Sequence, residues 1–240
     1  SYEYANGGFP DWTEWHGTTT KTPPYDQLEP RFHASILYNG AEWKGRTIES
    51  YVGGADGWCQ WNIEREPKGR STTGYYLRKM VDEGHNVITE SGSVQPLTII
   101  RYGEVLLNKA EACFELGETA EANAAVKAVR TRVDLPYTDK SGSELWNAIR
   151  QERKVELAYE GLWYWDLRRW KVAHKPYPEG LTGYQQHGLK IEKNDDGTFT
   201  YSYVSVDDKD RNFLEKMYRF PLPTSELTSN SLVNQFPEWN

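Results

Sequence analysis

Leu97-Thr98-Ile99-Ile100-Arg101-Tyr102-Gly103-Glu104-Val105-Leu106-Leu107-Asn108-Lys109-Ala110-Glu111-Ala112-Cys113-Phe114-Glu115-Leu116 is the stretch on which the fold turns. Apolar or small residues recur at Ile99, Gly103, Leu106, Leu107, Ala110, Cys113 and Phe114. A helix turns once in about 3.6 residues, so this spacing places them on one face. Gly117 stands just past the end, where a helix needs a residue free to take positive φ. A second stripe follows at once, Ala122, Ala125, Val126, Val129 and Val133, and predicts a helix over 118–133. So short a connection forces the two helices to run antiparallel. Ser141 with Glu144 reads as a capping box that opens a third helix reaching Glu160. Gly161 interrupts, and 162–171 predicts a fourth, shorter helix.

Outward from this helical middle the pattern weakens. Residues 1–96 are rich in Gly, Pro, Thr and aromatics, with a strand expected over 32–39 and a second over 43–52. Gly53-Gly54-Ala55-Asp56-Gly57 is a loop by composition, and 73–83 should open as a strand and close as a helical turn. Beyond Pro176, residues 189–192 and 199–206 flank Asn194-Asp195-Asp196-Gly197 as a β-hairpin. Phe220-Pro221-Leu222-Pro223 reads as an extended segment leading into a turn. No linker or low-complexity tract appears, so residues 1–240 are expected to form a single domain. Its regions are a loop-rich part (1–96), a helical part (97–171), and a hairpin with an extended tail (172–240). The fold class is mainly α, with helix hairpins of tetratricopeptide length, irregular loops and a small β-hairpin. Two such hairpins fall below the usual minimum of about three repeats, so further helical neighbours are expected outside this chain.

Composition excludes several functions. A net charge of −7 argues against nucleic acid, which needs a basic stripe. No apolar run of about 18 residues is present to span a bilayer. No signal peptide opens the chain and no Cys near its start could carry lipid, so any anchor is expected outside it. Cys59 and Cys113, one in a loop and one on a helix, are not expected to pair. The five histidines are scattered and none forms a helical ligand pair, so neither a metal nor any other cofactor is expected. Asp207-Asp208-Lys209-Asp210 lacks the spacing of a calcium loop and reads as a solvated charge cluster.

Glu104, Glu111, Glu152, Glu156 and Glu160 could suggest paired carboxylates for acid–base chemistry. They lie among Arg101, Arg130, Arg132, Arg153, Arg168 and Arg169, and neighbouring guanidiniums lower carboxylate pKa values, which spoils a general acid. An interhelical ion-pair network is the expected role, and no enzyme is read here.

The aromatics are more telling. They make up 14% of the chain, with 10 Trp and 16 Tyr. Trp146, Trp163, Trp165, Trp170 and Tyr159 lie on or beside helices and are read as packing, as is Trp43 in its expected strand. Trp12, Trp15, Trp58 and Trp61 sit in irregular, polar sequence, where surface loops are expected. Indole faces stack on the C–H faces of sugar rings, while Asp56, Asn62 and Arg65 could bond the hydroxyls. These seven residues are the candidate glycan site; the other reading is that the Trp side chains close the loop over its own base.

Five segments in order carry a family resemblance. They are Glu29-Pro30-Arg31-Phe32 with Ile36-Leu37-Tyr38-Asn39-Gly40; Thr73-Gly74-Tyr75-Tyr76-Leu77-Arg78-Lys79; and the run from Arg101 to Ala112. Glu152-Arg153-Lys154-Val155-Glu156-Leu157 follows, with Glu160-Gly161 and Trp165-Asp166-Leu167-Arg168-Arg169-Trp170. Phe220-Pro221-Leu222-Pro223, Glu226 and 234–239 close the series. Together they make the chain resemble the C-terminal half of a SusD/RagB-family nutrient-binding lipoprotein of the outer membrane. The resemblance implies a SusD-like fold of tetratricopeptide-type helix pairs and a ligand site carried on irregular loops. It implies non-catalytic capture of an oligosaccharide, or in some members a peptide, at the cell surface. Delivery would be to a SusC-like TonB-dependent transporter. Membrane attachment would be only through a lipid anchor outside this chain. A helical-repeat scaffold binding protein or peptide partners is the alternative, and a carbohydrate-active enzyme the third.

Overall fold

The computed structural model describes residues 1–59, 70–86, 89–96, 98–207 and 209–240. Two compact units emerge, Ser1–Trp163 with His187–Val206, and Tyr164–Gln186 with Asp207–Asn240. Their boundaries cut across the three regions expected from sequence.

In the larger unit, α1 spans Pro30–Ser35, α2 Tyr102–Glu115, α3 Thr119–Thr131 and α4 Gly142–Glu156. The three long helices fall where periodicity predicts them, each shorter than expected. Gly117 takes φ +77°, and Glu118 N–H reaches back to Cys113 C=O at 2.8 Å, closing α2 so that α3 folds back along it. Ala110, Cys113, Ala122, Ala125, Val126, Leu145 and Ile149 form the core between α2, α3 and α4. The alanines matter because small side chains let helix backbones approach. Phe114 and Trp146 stack at 5.2 Å along the margin. Ser141 precedes α4, but its side chain makes no capping bond. Cys59 and Cys113 form no disulfide with each other.

The strand expected over 32–39 is mostly helix. Pro30 enters α1 at its first turn, where its missing N–H costs nothing. Leu28, Phe32 and Ile36, four residues apart, bury together with Tyr25. Only Ile36–Leu37 is extended, as β2. The other short strands are β1 (Thr18–Thr19), β3 (Glu42–Trp43), β4 (Arg46–Thr47) and β5 (Tyr76–Leu77). The strand expected over 43–52 is therefore a two-residue-per-arm hairpin, and 73–83 holds β5 followed by turns. The expected hairpin is present as β6 (His187–Lys193) and β7 (Phe199–Ser205), and β1 adds a third strand beside β7.

Ile99, Ile100, Tyr102, Val105 and Leu116 stay outside this core. Tyr102 and Leu116 are each 74% exposed and Val105 is 48% exposed, in line with the expectation that they point away from the α2–α3 pair.

The smaller unit is built around α5 (Trp163–Arg169) and α6 (Thr224–Ser229) with irregular segments between. Leu167, Ala173 and Phe213 are buried. Arg168 does not join an interhelical carboxylate network. Its guanidinium donates to the Met217 and Tyr218 carbonyls at 2.6 and 2.8 Å and lies over the Tyr164, Trp165, Phe213 and Phe220 rings. After the extended 219–223, α6 replaces the expected turn.

Candidate functional site

Trp12–Trp15 form one turn of 3₁₀ helix, capped by Asp11, whose carboxylate accepts from Thr13 N–H at 3.1 Å and Thr13 Oγ1 at 2.6 Å. Those bonds hold the Asp11 carboxyl below its ordinary range. Trp15 turns inward, 6% exposed, with its indole N–H on the Lys21 carbonyl at 2.8 Å. Trp12 leans on it at 5.6 Å and stays half-buried.

His16 ends this turn beside the three-stranded sheet. Tyr203 N–H donates to Gly17 C=O at 2.8 Å, which ties the loop to β7. Leu189 lies opposite Tyr203 and His187 opposite Ser205, so His187 and Tyr203 are diagonal neighbours on one face. Their rings stack at 4.5 Å and 9°, and His16 stacks on the other side of Tyr203 at 4.6 Å and 28°. Three rings thus stand in a row. With Trp12, Trp15, Pro23, Tyr75, Gly188 and Leu189 they line a cavity of about 240 Å³. Burial pushes the Tyr75 hydroxyl up to about 12, and it meets the Tyr25 hydroxyl at 2.7 Å.

The wall depends on a close approach. Leu189 N–H bonds Thr73 C=O at 2.9 Å, and a Cβ on Gly188 would lie 2.6 Å from Thr73 Cα. Any side chain there would push β6 off the 71–75 segment.

Of the seven candidate residues, Trp12 and Trp15 share this cavity. Trp58 is half-buried, its indole N–H on the Thr72 carbonyl at 3.2 Å and Lys190 over its ring at 5.9 Å. Asp56 is committed to the loop. Arg46 holds both its oxygens, at 2.5 and 2.6 Å, and Glu49 N–H adds a third bond at 3.0 Å. The Arg46 bonds keep its carboxyl below the usual range. Trp61, Asn62 and Arg65 lie outside the described residues.

Sequence reading missed His16, Tyr75, His187 and Tyr203. The signal for Tyr203 was present: Phe199, Tyr201 and Tyr203 alternate along a strand, and a period of two puts them on one face. The histidines are scattered in sequence, and nothing local marks them as stacking rings. Among the described residues no group of three or more His, Cys, Asp or Glu could hold a metal.

A larger cavity, about 720 Å³, is lined by Glu3, Phe9, Arg130, Tyr137, Lys140, Glu144, Asn147, Gln151 and Glu152 among others. It offers two rings amid charged groups, whereas the smaller cavity is walled by rings. Sugar faces favour the second.

The carboxylates of α4 are structural. Glu152, 1% exposed, bridges Arg31 at 2.8 Å and Arg130 at 2.5 Å. Glu156 accepts from Arg31, Arg101 and Arg132, and Glu160 from Arg101 and Lys79. Burial alone would raise both carboxyls, but the surrounding cations, Arg101 foremost, hold Glu156 and Glu160 below the usual range. Glu29 has one guanidinium partner, Arg31, and burial wins there, pushing its carboxyl up. Arg153 donates to Asn108 at 2.7 Å.

The sequence model of the SusD family matches residues 1–239. The chain belongs to the SusD family. It is 31% identical over 166 residues to SusD-like protein P2 of Formosa agariphila, covering 65% of this chain and 28% of that protein. SusD-like protein P38 of the same organism is 36% identical over 102 residues, 37% of this chain and 20% of that one. A SusD-like protein of Bacteroides fragilis superposes with a TM-score of 0.72 at 26% identity, over 98% of this chain and 44% of the other. A SusD-like carbohydrate binding protein of Bacteroides fragilis gives 0.68 at 26% identity, over 96% and 46%. This SusD-family chain therefore spans less than half the length of each of these relatives.

Proposed function

We propose that the chain is the C-terminal half of a non-catalytic surface glycan-binding protein, and that the ring-walled cavity is part of its ligand site. The row His16–Tyr203–His187 beside Trp12 and Trp15 carries this reading. The two histidines cover both faces of Tyr203, so a sugar ring at the sheet surface would meet the outer histidine faces and the Trp12 indole. The cavity is smaller than the roughly 300–1,000 Å³ of enclosing small-molecule pockets, which suits holding one part of a longer oligosaccharide. A solved relative described as carbohydrate binding supports the ligand class. Trp58 extends the proposed surface, and Trp61, Asn62 and Arg65 remain candidate glycan-binding residues on the sequence reading alone.

The finer parts of the reading rest on family membership. They are a lipid anchor at the outer-membrane surface, delivery to a SusC-like transporter, and tetratricopeptide-type packing of the helix hairpins. A non-catalytic role is supported by Glu152 and Glu156 of α4 and by Glu160 just beyond it, which are engaged by arginine and lysine. The second reading, a scaffold for protein partners, is favoured by the exposed apolar face of α2 at Tyr102 and Val105.

Affinity electrophoresis through a panel of polysaccharides, with Trp12→Ala and Tyr203→Ala beside the parent chain, tests the proposal. Ring stacking contributes roughly 1–3 kcal/mol per ring by analogy with nucleobases, so Trp12→Ala should lose about fivefold or more in retention, and Tyr203→Ala should lose retention by releasing the two histidines that stack on it. Retention by the parent and both variants alike would remove this cavity from the ligand site.

A further inference from the structure

Sugar hydroxyls are readily met by carboxylates, side-chain amides and guanidiniums, which carry donors or acceptors in pairs. Among the described residues, none of these groups lines the ring-walled cavity, and no lysine does. Several polar atoms of its wall are already spent within the fold. Trp15, 6% exposed, has its indole N–H on the Lys21 carbonyl at 2.8 Å. The Tyr75 hydroxyl meets that of Tyr25 at 2.7 Å. Pro23 C=O accepts from Tyr25 N–H at 2.8 Å, and Leu189 N–H donates to Thr73 C=O at 2.9 Å.

Burial divides the wall in two. Pro23, Trp15 and Leu189 are buried, and the first and last present only carbon from their side chains. The remaining side-chain polar atoms, on Trp12, Tyr203 and the two imidazoles, belong to side chains that reach solvent. The cavity is therefore apolar in its depth and polar at its mouth. A hydroxyl carried into that depth gives up its bonds to water without replacement, which is costly. A methyl group carried there is favoured by leaving water.

On the reading that this cavity holds a sugar, we propose that the sugar is a 6-deoxyhexose. Its C6 methyl group sits against Pro23, Trp15 and Leu189, and its hydroxyls face the mouth. The ordinary hexose carries one hydroxyl more at that carbon, and the cavity discriminates against it. An N-acetylated sugar also brings a methyl group, but its amide would take a donor and an acceptor into the same depth. Acidic sugars find no cation in the wall.

The test is saturation-transfer NMR on the 240-residue chain with L-fucose and L-galactose, which differ only in bearing a methyl or a hydroxymethyl group at C6. N-acetylglucosamine beside glucose is the second pair. L-fucose should bind about tenfold more tightly than L-galactose, inside the roughly hundredfold by which an apolar pocket rejects one added hydroxyl. Its methyl protons should take up the most saturation. Trp12→Ala should weaken L-fucose binding about fivefold or more, and His16→Ala, at an exposed position, should weaken it too. L-galactose bound as tightly as L-fucose, or saturation spread evenly over the fucose ring protons, would overturn the methyl preference. If that undiscriminating binding is still lost in Trp12→Ala, the cavity holds sugars and only the 6-deoxy assignment falls. A preference for N-acetylglucosamine over glucose with none for L-fucose over L-galactose would overturn it in favour of the acetamido group. L-fucose binding unchanged in both variants, or no transfer to any of the four sugars, would overturn it as well, and the polysaccharide retention of the parent and Trp12→Ala chains then shows whether the sugar-binding reading falls with it. Should Trp12→Ala fail to fold by circular dichroism, His16→Ala and the methyl signal decide.

Discussion

The α2–α4 bundle and the sheet-edge cavity are both rich in chemically expressive side chains, yet they are assembled in opposite ways. In the bundle, Glu152, Glu156 and Glu160 stand on α4 and just beyond it, and their cations close around them until no carboxylate is spare. At the sheet edge, Trp12, His16, Tyr75, His187 and Tyr203 come from four distant stretches of chain and leave an open wall of rings. Where every charge is met, burial serves stability. Where rings are gathered and left facing a cavity, the same burial prepares a surface. Glu156 and Glu160, held in the charged form by Arg101 and its neighbours, are poor proton donors near neutral pH, whereas ring faces need no titration to act.

The contrast breaks most easily at Glu152. It is fully buried between two guanidiniums, so Glu152→Gln strands Arg31 and Arg130 without their shared charge. Loss of one partner of a buried pair costs roughly 3–5 kcal/mol. Denaturant unfolding should show a drop in that range, with the ring row unaffected. A loss under about 1 kcal/mol would mean that the pair is solvated in solution and behaves as a surface bridge.

Acid should act on the same region. Glu156 and Glu160 have folded-state pKa values below the usual range. Their contribution is therefore complete above the unfolded-state pKa near 4.5 and is lost as pH falls through the depressed folded values. Glu29, with its carboxyl pushed up, works in the opposite sense, and its contribution is lost as pH rises through its folded value. For Glu156 and Glu160 the expected sign is a loss of stability as pH drops below about 4.5. Glu156→Gln should flatten that decline in thermal melts taken across the range. An unchanged slope would show that other carboxylates govern acid unfolding.

Gly188 tests the other region. A methyl group at Gly188 would meet Thr73 Cα at 2.6 Å and Thr72 O at 2.9 Å, both backbone atoms that cannot swing aside. Overpacking of this kind costs about 1–3 kcal/mol. Gly188→Ala should show that loss and should also reduce glycan retention, because β6 carries His187. Full stability in the alanine variant would mean that the 71–75 segment yields easily and does not fix the wall.

These regions differ also in how far the sequence discloses them. The helices of the bundle repeat at 3.6 residues within one continuous stretch, so α2, α3 and α4 were legible to within a few residues. The pairing of Glu152 with Arg130 and of Glu156 with Arg132 is legible in kind, but that of Arg31 and Glu29 is not, because residues 32–39 read as a strand. The apolar content of 32–39 suited either element. What decided for helix was the four-residue spacing of Leu28, Phe32 and Ile36 after a proline that starts a helix well. At the sheet edge, composition marked Trp12 and Trp15 but not their partners. Tyr203 and His187 join them only through the antiparallel register of β6 and β7 and the bond from Tyr203 to Gly17, both long-range contacts. Asp56 lies two residues from Trp58 in sequence, but in the fold its carboxylate is held by Arg46.

The smallest expected effect sharpens the comparison from the bundle's side. Ser141-Gly142-Ser143-Glu144 has the residues of a capping box, and a working Ser cap is typically worth about 1 kcal/mol over Ala. In the structure Ser141 has the extended backbone of a cap, yet its side chain makes no capping bond. The anchoring of α4 lies instead in Leu145 and Ile149, both fully buried, and in the Glu152 and Glu156 pairs at its other end. Ser141→Ala should therefore cost under about 0.5 kcal/mol, the usual range for surface substitutions away from a structural feature. Paired urea titrations of parent and variant, read at the midpoint with unchanged slope, resolve a difference of that size. A loss near 1 kcal/mol would show that the serine closes the box in solution. Helix starts in this bundle would then be set by local sequence signals, and packing with ion pairing would fix only where the helices end.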